Sequence, residues 1–474
     1  MDIETARWLV SDEAAPYILQ AHSFDDPSSL KSGTALRRVL SADRAAAVAD
    51  LESLRRKGTA KLGDIAWDLF LTHDGLEQAT RFPVAAWRAK RMAGMADRVI
   101  DAGCGLGIDA LAARMTGMGV TGIEMDPVTA VFARANLGTI GDPACGRMTV
   151  GFDRWTTEYE VRTGTVEDVL PDVIQPSPDV IQPSPTVILP SPDVIQPSPD
   201  VVQPSPDVIL PQAGSPPCSV SDAHDDGDPD CVRMTRGVRM TRGADSPPAI
   251  FLDPARRTQH GRSWNVEDLS PSWGFVLDVL RHPYPVVVKL APGFPHRLLP
   301  DDVDVTWVSH KRNLVETTLW SWPGMSGRRE AVVLGDTESQ LLAGPPVPPI
   351  GDADAYILEP DPAVIRAQAI GALARITGTH PMADHVAYLT GPEFVPTPFA
   401  TTFEVLRTID FSEKELRAWV RDNDIGVLEI KVRGLDIDPA TLRRTLKLKG
   451  NRSATIILAP ISTGVKVFIV QRIL

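Results

Sequence analysis

Hydrophobic positions follow two different patterns along this chain. Through the first 95 or so residues they recur at helical spacing: after Ser41, a residue able to cap a helix, Val48, Leu51 and Leu54 share a face, and the segment closes on Arg55, Arg56, Lys57 and Gly58. An N-terminal helical segment is therefore expected over 1–95, with no obvious chemistry of its own. From Arg98 the pattern changes to short β-rich runs ending in Gly or Asp, each followed by a helix-compatible stretch: RVIDAG, VTGIEMD, AIFLDP and PVVVKLAPG. That alternation predicts an α/β domain over 96–335, a parallel sheet with helices on its faces. Past Pro349, AYILEPDPAVIRAQAIGALARIT reads as a strand running into a helix, a connecting α/β segment over 336–395. FVPTPFATTFEVL then opens a C-terminal α+β module over 396–474. Its helix FSEKELRAWVRDND, strand VLEIKVRG and basic helix DPATLRRTLKLKG lead to a closing strand pair about the turn STG.

One stretch fits neither pattern. Between the second and third β-rich runs, Pro171, Pro178, Pro185, Pro192, Pro199 and Pro206 recur every seven residues, and VRMTRG occurs twice in succession from residue 232. Two prolines per unit remove amide donors and clash with a helix, so the period of seven cannot mean a coiled coil. The segment 171–248 is expected to be a solvated, extended insert interrupting the α/β domain. It also alters the charge balance, since it carries −7 of the chain's net −13. From 405 to 474 the sign reverses, with thirteen basic and eight acidic residues. The N-terminus lacks a basic region followed by an apolar run, and no stretch of 18 apolar residues occurs, which leads to the expectation of a cytoplasmic protein without a membrane partner. Four cysteines (104, 145, 218, 231) show no C-x-x-C spacing, and His380 and His385 are separated by Pro381, so no metal site is expected.

The chemistry concentrates after the first strand. Asp101-Ala-Gly103-Cys-Gly105-Leu-Gly107 lies between RVI and the helix-compatible IDALAARM. Glycine at these positions lets the backbone turn tightly against a ligand, and the helix N-terminus beyond offers free amides. Twenty-three residues after Asp101, Glu124 ends the next strand, followed by Asp126; an acid there is placed to accept the hydroxyls of a ribose. A dinucleotide loop, G-x-G-x-x-G, would need glycine at 108, where Ile108 stands. The form acid-x-G-x-G-x-G is instead that of S-adenosylmethionine-dependent methyltransferases, whose cofactor carries an amino acid and a sulfonium where a dinucleotide carries pyrophosphate. A carboxylate at Asp101 suits such a ligand.

With these residues the chain resembles Rossmann-like class I methyltransferases over roughly 96–335. It resembles more closely a bacterial family joining that domain to a C-terminal THUMP-like domain, on THDGLEQAT (72–80), DAGCGLGIDALA, FLDPARR (251–257), VVVKLAPGFPH (286–296), YILEPDPAVIR and PTPFATTFEVL. It is also similar, more weakly, to the trimethylguanosine synthase group, where a short helical segment precedes the core. The resemblance implies S-adenosyl-L-methionine as cofactor and, because THUMP domains belong to RNA-modifying enzymes, RNA as partner; it does not identify the acceptor.

Two places depart from the family's pattern. After the third strand, Gly164 is followed by Thr165 where an adenine-binding Asp is usual, and Asp168 is the substitute candidate. The fourth-strand motif reads Asp253-Pro254-Ala255-Arg256, without the second proline and aromatic of exocyclic-amine methyltransferases. Asp253 with Pro254 is the catalytic candidate, against the alternative of a strand end and turn. Trp264 and Trp273 are candidates to stack on a base, Arg256 to bind phosphate, and Lys289, ending PVVVKL, to reach the ligand edge of the sheet; core packing or a solvated surface is the competing reading for each. In the C-terminal module Arg443, Arg444, Lys447, Lys449 and Arg452 form a basic cluster on a helix and the turn after it, in which Arg443 and Lys447 would share one face and Leu442 and Leu446 the core. Three functions stay open: an RNA methyltransferase, a protein or small-molecule methyltransferase, and a non-catalytic cofactor-binding scaffold. Nothing in the sequence bears on the oligomeric state.

Overall fold

The computed structural model describes residues 1–138, 158–174, 247–256 and 266–473. The bulk of the proline-rich insert, Trp264, and the cysteines at 145, 218 and 231 lie outside the described residues.

Six α-helices precede the first strand: α1 (Ile3–Leu9), α2 (Ala15–His22), α3 (Leu30–Arg37), α4 (Ala42–Leu62), α5 (His73–Gln78) and α6 (Phe82–Ala93). Ser41 caps α4 as expected, its hydroxyl accepting from the Arg44 amide (3.4 Å). The helix passes through Gly58, however, and ends at Gly63, which adopts φ 71°. Gly58 is an interior contact: a Cβ there would meet Leu71 and Ala66 at 3.3–3.4 Å, so the missing side chain admits the next segment against the helix. Arg55, read from the sequence as part of a charged end, is buried with its guanidinium on the Glu52 carboxylate (2.9 Å) and the Leu69 carbonyl (2.9 Å).

The helical segment is not a separate unit. Trp8, Leu51, Leu76 and Trp87 share one apolar core with Val99, Leu111, Phe132 and Phe251 of the α/β region.

That region contains β1 (Arg98–Ala102), α7 (Ile108–Met115), β2 (Gly119–Glu124), α8 (Pro127–Gly138), β3 (Tyr159–Thr163), α9 (Val166–Val173), β4 (Ala249–Leu252), the short pair β5 (Ala255–Arg256) and β6 (Leu269–Ser270), α10 (Trp273–Leu280), β7 (Val286–Leu290), β8 (Asp304–His310), β9 (Asn313–Ser321), β10 (Arg329–Leu334) and β11 (Glu338–Leu342). Nine of these strands form one sheet in the order β11-β10-β8-β9-β7-β4-β1-β2-β3. The four β-rich runs of the sequence are β1, β2, β4 and β7, all parallel. β9 runs antiparallel between β7 and β8, a reversal that residue pattern did not disclose.

A second, seven-stranded sheet is built from β12 (Tyr356–Pro360), β13 (His380–Pro381), β14 (Leu389–Gly391), β15 (Ala400–Asp410), β16 (Ile425–Val432), β17 (Arg452–Ile461) and β18 (Gly464–Arg472), in the order β13-β14-β12-β15-β18-β17-β16. The helices between its strands are α11 (Pro362–Arg366), α12 (Ile370–Thr377), α13 (Glu413–Asp422) and α14 (Pro439–Leu446). Leu416 and Val420 of α13 and Leu442 and Leu446 of α14 bury against Leu428, Ile456 and Val467 on one face of that sheet. The expected connecting segment 336–395 is therefore divided: β11 completes the first sheet, whereas β12 to β14 belong to the second, because their backbone donors are satisfied there. Arg312 and Arg366 join the two sheets, donating to the carbonyls of Ala400 (2.7 Å) and Phe294 (2.6 Å).

Candidate active site

From β1 the chain builds the sheet outward through β2 and β3 on one side and through β4 and β7 on the other. A parallel sheet opens a crevice at the carboxyl ends of its strands where the order reverses in this way. A cavity of about 1030 Å³ lies there, lined by Asp101, Gly103, Gly105, Glu124, Asp253 and Lys289 together with residues of α5, α7 and the start of α9.

The glycine loop is shaped by conformation and by its ties to β2. Gly103, Gly105 and Gly107 have φ of 93°, 54° and 78°, a region that side chains disfavour. The amides of Gly103 and Cys104 both donate to the Ile123 carbonyl (2.9 Å each), and the Gly105 amide donates to Oε2 of Glu124 (2.9 Å). Oε1 of Glu124 accepts from the Asp126 amide (2.8 Å), so the carboxylate is fixed at both oxygens while each keeps a lone pair for a ligand hydroxyl. Burial pushes Glu124 above the usual carboxylate range.

Asp101 is the outlier. Its side chain is 1% exposed, and neither carboxyl oxygen has a hydrogen-bond partner. Burial first, then the charges of Asp109 and Asp253, push it well above its ordinary value. An unpartnered buried carboxyl is costly, and a cationic donor is what would satisfy it.

Asp253 forms an ion pair with Lys289. Burial alone would lower the Lys289 ammonium, but Asp253 and then Asp109 hold it above its ordinary value. Beneath them Arg88 of α6, fully buried, pairs with Asp109 and Glu316 and lies 4.8 Å over the Phe251 ring. Thr80 donates to the other oxygen of Asp109 (2.7 Å). Despite its burial Asp109 stays below the usual carboxylate range because Arg88 and Lys289 face it.

One wall of the cavity comes from the segment for which the sequence offered no chemistry. Asp74, Glu77 and Gln78 of α5, with Thr80 after it, line the cavity. Thr72 caps this helix (3.1 Å to the Gly75 amide). Gly75 admits Leu106 of the glycine loop, which a Cβ would meet at 2.6 Å. Lys61 closes the other end through the carbonyls of Leu76 (2.9 Å) and Glu77 (2.6 Å). The only signal for this wall was the family resemblance of THDGLEQAT; six residues are too few for periodicity to register.

Other candidates lie elsewhere. Asp126 caps α8, accepting from the amide (2.7 Å) and hydroxyl (2.6 Å) of Thr129, and does not line the cavity. Asp168 is exposed and accepts from the Thr165 hydroxyl (2.6 Å); Gly164, Thr165, Val166 and Glu167 are the neighbouring residues that reach the cavity. Pro254 is buried at the end of β4, and the backbone of Arg256 pairs with Leu269 in the β5–β6 ladder. Trp273 is 9% exposed and packs on Phe294 with ring centroids 4.9 Å apart, so it belongs to the core and not to a stacking surface.

In the second sheet the basic cluster is exposed at all five positions, and none has an ion-pair partner among the described residues. The geometry differs from the expected shared face. α14 ends at Leu446, and Lys447 takes φ 52° as its C-cap, so Arg443 and Lys447 do not lie along one helix. Arg443 donates to the Leu428 carbonyl (3.1 Å), and Arg444 to the Thr441 hydroxyl (2.9 Å). Among the described residues no group of His, Cys, Asp or Glu is arranged to hold a metal ion, and no helix is long and apolar enough to cross a membrane.

Comparison with known proteins places these features in context. The family model for THUMP domain-like sequences matches residues 400–472. Over 434 residues the chain is 28% identical to an uncharacterised S-adenosylmethionine-dependent methyltransferase of Mycobacterium tuberculosis, in strains CDC 1551 and H37Rv alike, an alignment covering 89% of this chain and 94% of the relative. A crystal structure from Porphyromonas gingivalis W83, provisionally named a methyltransferase, superimposes with a TM-score of 0.69 at 17% identity, covering 100% of this chain and 99% of the other, and shares its fold.

Proposed function

We propose that this protein, an S-adenosylmethionine-dependent methyltransferase with a C-terminal THUMP-like domain, methylates RNA. The observation that carries the RNA reading is the domain match at 400–472 coinciding with an exposed, unpaired basic cluster in a chain of net charge −13. Exposed cations without a carboxylate partner are suited to phosphate.

The cavity fits the cofactor on its own chemistry. The orphaned carboxyl of Asp101 would take the amino group of the methionyl portion, and Glu124 the two ribose hydroxyls, beside a loop whose backbone no Cβ obstructs at Gly105. When bound, the cofactor supplies an electrophilic methyl group on a sulfonium. Asp253 would accept a hydrogen bond from the N–H of the acceptor and aim its lone pair, while its ion pair with Lys289 holds the carboxylate in place. Holding donor and acceptor in line and excluding water is the main task of such a site.

A protein acceptor is the second reading, favoured by one observation: carboxylates dominate the described lining, with Lys289 as its one basic residue, which would suit a cationic side chain. Incubation with labelled methyl donor separates the two. We expect S-adenosylhomocysteine to form with a total RNA fraction and not with RNase-treated protein extract; the opposite pattern selects the protein reading, and no product in either arm favours a scaffold.

A variant with Arg443, Arg444 and Lys447 all changed to Ala should bind RNA more weakly, with a log–log salt slope flattened by about 0.7 per lost phosphate contact on a single strand. Its cofactor affinity should match the wild type in calorimetry. Equal slopes in a polarisation series would remove the cluster from the RNA contact.

A further inference from the structure

We infer that Arg81 and Lys311 hold the phosphodiester backbone of the substrate strand at the mouth of the cavity, so that only the target base enters its acidic interior. This rests on the RNA reading above and specifies where that substrate sits.

The described interior is hostile to phosphate. Carboxylates from α5, β1, α7, β2, α9 and β4 line it, against Lys289 alone, whose ammonium is already committed to Asp253. A nucleotide can nevertheless be methylated on its base if the base is turned out of the strand and the backbone stays outside. The backbone then needs cations beside the opening.

Two are present. Arg81 directly follows Thr80, which lines the cavity, and stands exposed at the N-terminal cap of α6. Lys311 lies in the tight turn after β8, which runs parallel to the ligand-bearing strands, so the turn falls at the same carboxyl edge as the cavity. Lys311 and Arg312 both have positive φ, 51° and 64°, and the Lys311 amide is tied to the Leu334 carbonyl (3.2 Å). Arg312 is engaged with Ala400 and, at 3.9 Å, with Asp361, but neither Arg81 nor Lys311 has an ion-pair partner among the described residues.

Both charges act on His310, the last residue of β8. After burial, Lys311 and Arg81 both depress the His310 imidazole below its ordinary value. Burial, then Lys289 and Arg81, bring the Lys61 ammonium down to about 8. Gathering unpaired like charges at one edge raises the free energy of the protein alone, and an anion lying across them relieves it. A strand with one phosphate at each cation is an anion of that form.

The test uses the full chain with Arg81→Glu and Lys311→Glu combined, and Arg81→Lys with Lys311→Arg as the conservative control. Methyl transfer from labelled S-adenosylmethionine to a total RNA fraction should show KM for RNA raised tenfold or more in the reversed variant. kcat and cofactor affinity should stay unchanged, and the control should behave as wild type. In polarisation with a fluorescent single-stranded oligonucleotide, the log–log salt slope should flatten by about 1.4, two contacts at about 0.7 each. If wild type methylates RNA and the reversed variant has the same KM and slope, the rim assignment is overturned and the RNA reading stands. Loss of cofactor affinity in the reversed variant also overturns it, since the residues would then act through the fold. If wild type does not methylate RNA, both fall together.

Discussion

Replacing Arg88 by Met should destabilise the protein by about 3–5 kcal/mol, the cost of removing one partner from a buried ion cluster. Arg88 is fully enclosed between Asp109 and Glu316, and Met fills much of its volume, so the loss comes mainly from two carboxylates that lose their ion-pair partner. For a domain of this size the drop in Tm is on the order of 10 °C. Glu316→Gln in the same chain should recover part of it, because one of the stranded charges is then gone and the two changes are not additive. Thermal unfolding followed by circular dichroism measures both. A Tm equal to wild type in Arg88→Met would mean that Asp109 and Glu316 find other partners, and the cluster would lose its structural role.

Asp101→Asn separates binding from stability in opposite directions. Cofactor affinity should fall tenfold to a hundredfold, since a charge-assisted hydrogen bond is worth roughly 1.5–3 kcal/mol. The stability of the protein without cofactor should not fall. Below the ordinary carboxylate value Asp101 is protonated in both the folded and the unfolded chain. As pH rises above that value the unfolded chain releases the proton while the folded chain retains it, because burial has raised the folded group. The wild type therefore loses stability with rising pH until the raised value is passed. The amide does not titrate, so the variant should gain on wild type across that interval. Calorimetric titration gives the affinity and Tm against pH gives the linkage. Unchanged affinity for the cofactor would move the ligand away from Asp101; a variant Tm with the same pH dependence as wild type would move the titration elsewhere.

Much of the site could be read because its chemistry is local. Asp101, the three glycines and Glu124 act through backbone conformation at the ends of two consecutive strands, and alternation of β-rich and helical runs located those ends. Asp253 and Lys289 were found in the same way, at the ends of β4 and β7. That they form an ion pair was not legible, since it depends on the two strands being neighbours in the sheet. Where local pattern allowed two outcomes, packing chose. Gly58 could end a helix or admit a neighbour, and Leu71 decided it. Trp273 could stack on a base or fill the core, and Phe294 decided it. Asp126 and Asp168 are carboxylates just past strand ends, as ligand-binding acids would be, yet each is engaged by a threonine hydroxyl three residues away.

The sequence by itself determined the parallel α/β core, the glycine loop after its first strand and the reversal of charge in the C-terminal module, because periodicity, glycine conformation and net charge are properties of neighbouring residues. Tertiary structure alone decided which distant residues complete the site. The α5 wall is brought to Leu106, and Arg88 to Glu316 more than two hundred residues away. Each of these meetings depends on the order in which the strands assemble and on the antiparallel insertion of β9, which a one-dimensional pattern of apolar positions does not encode.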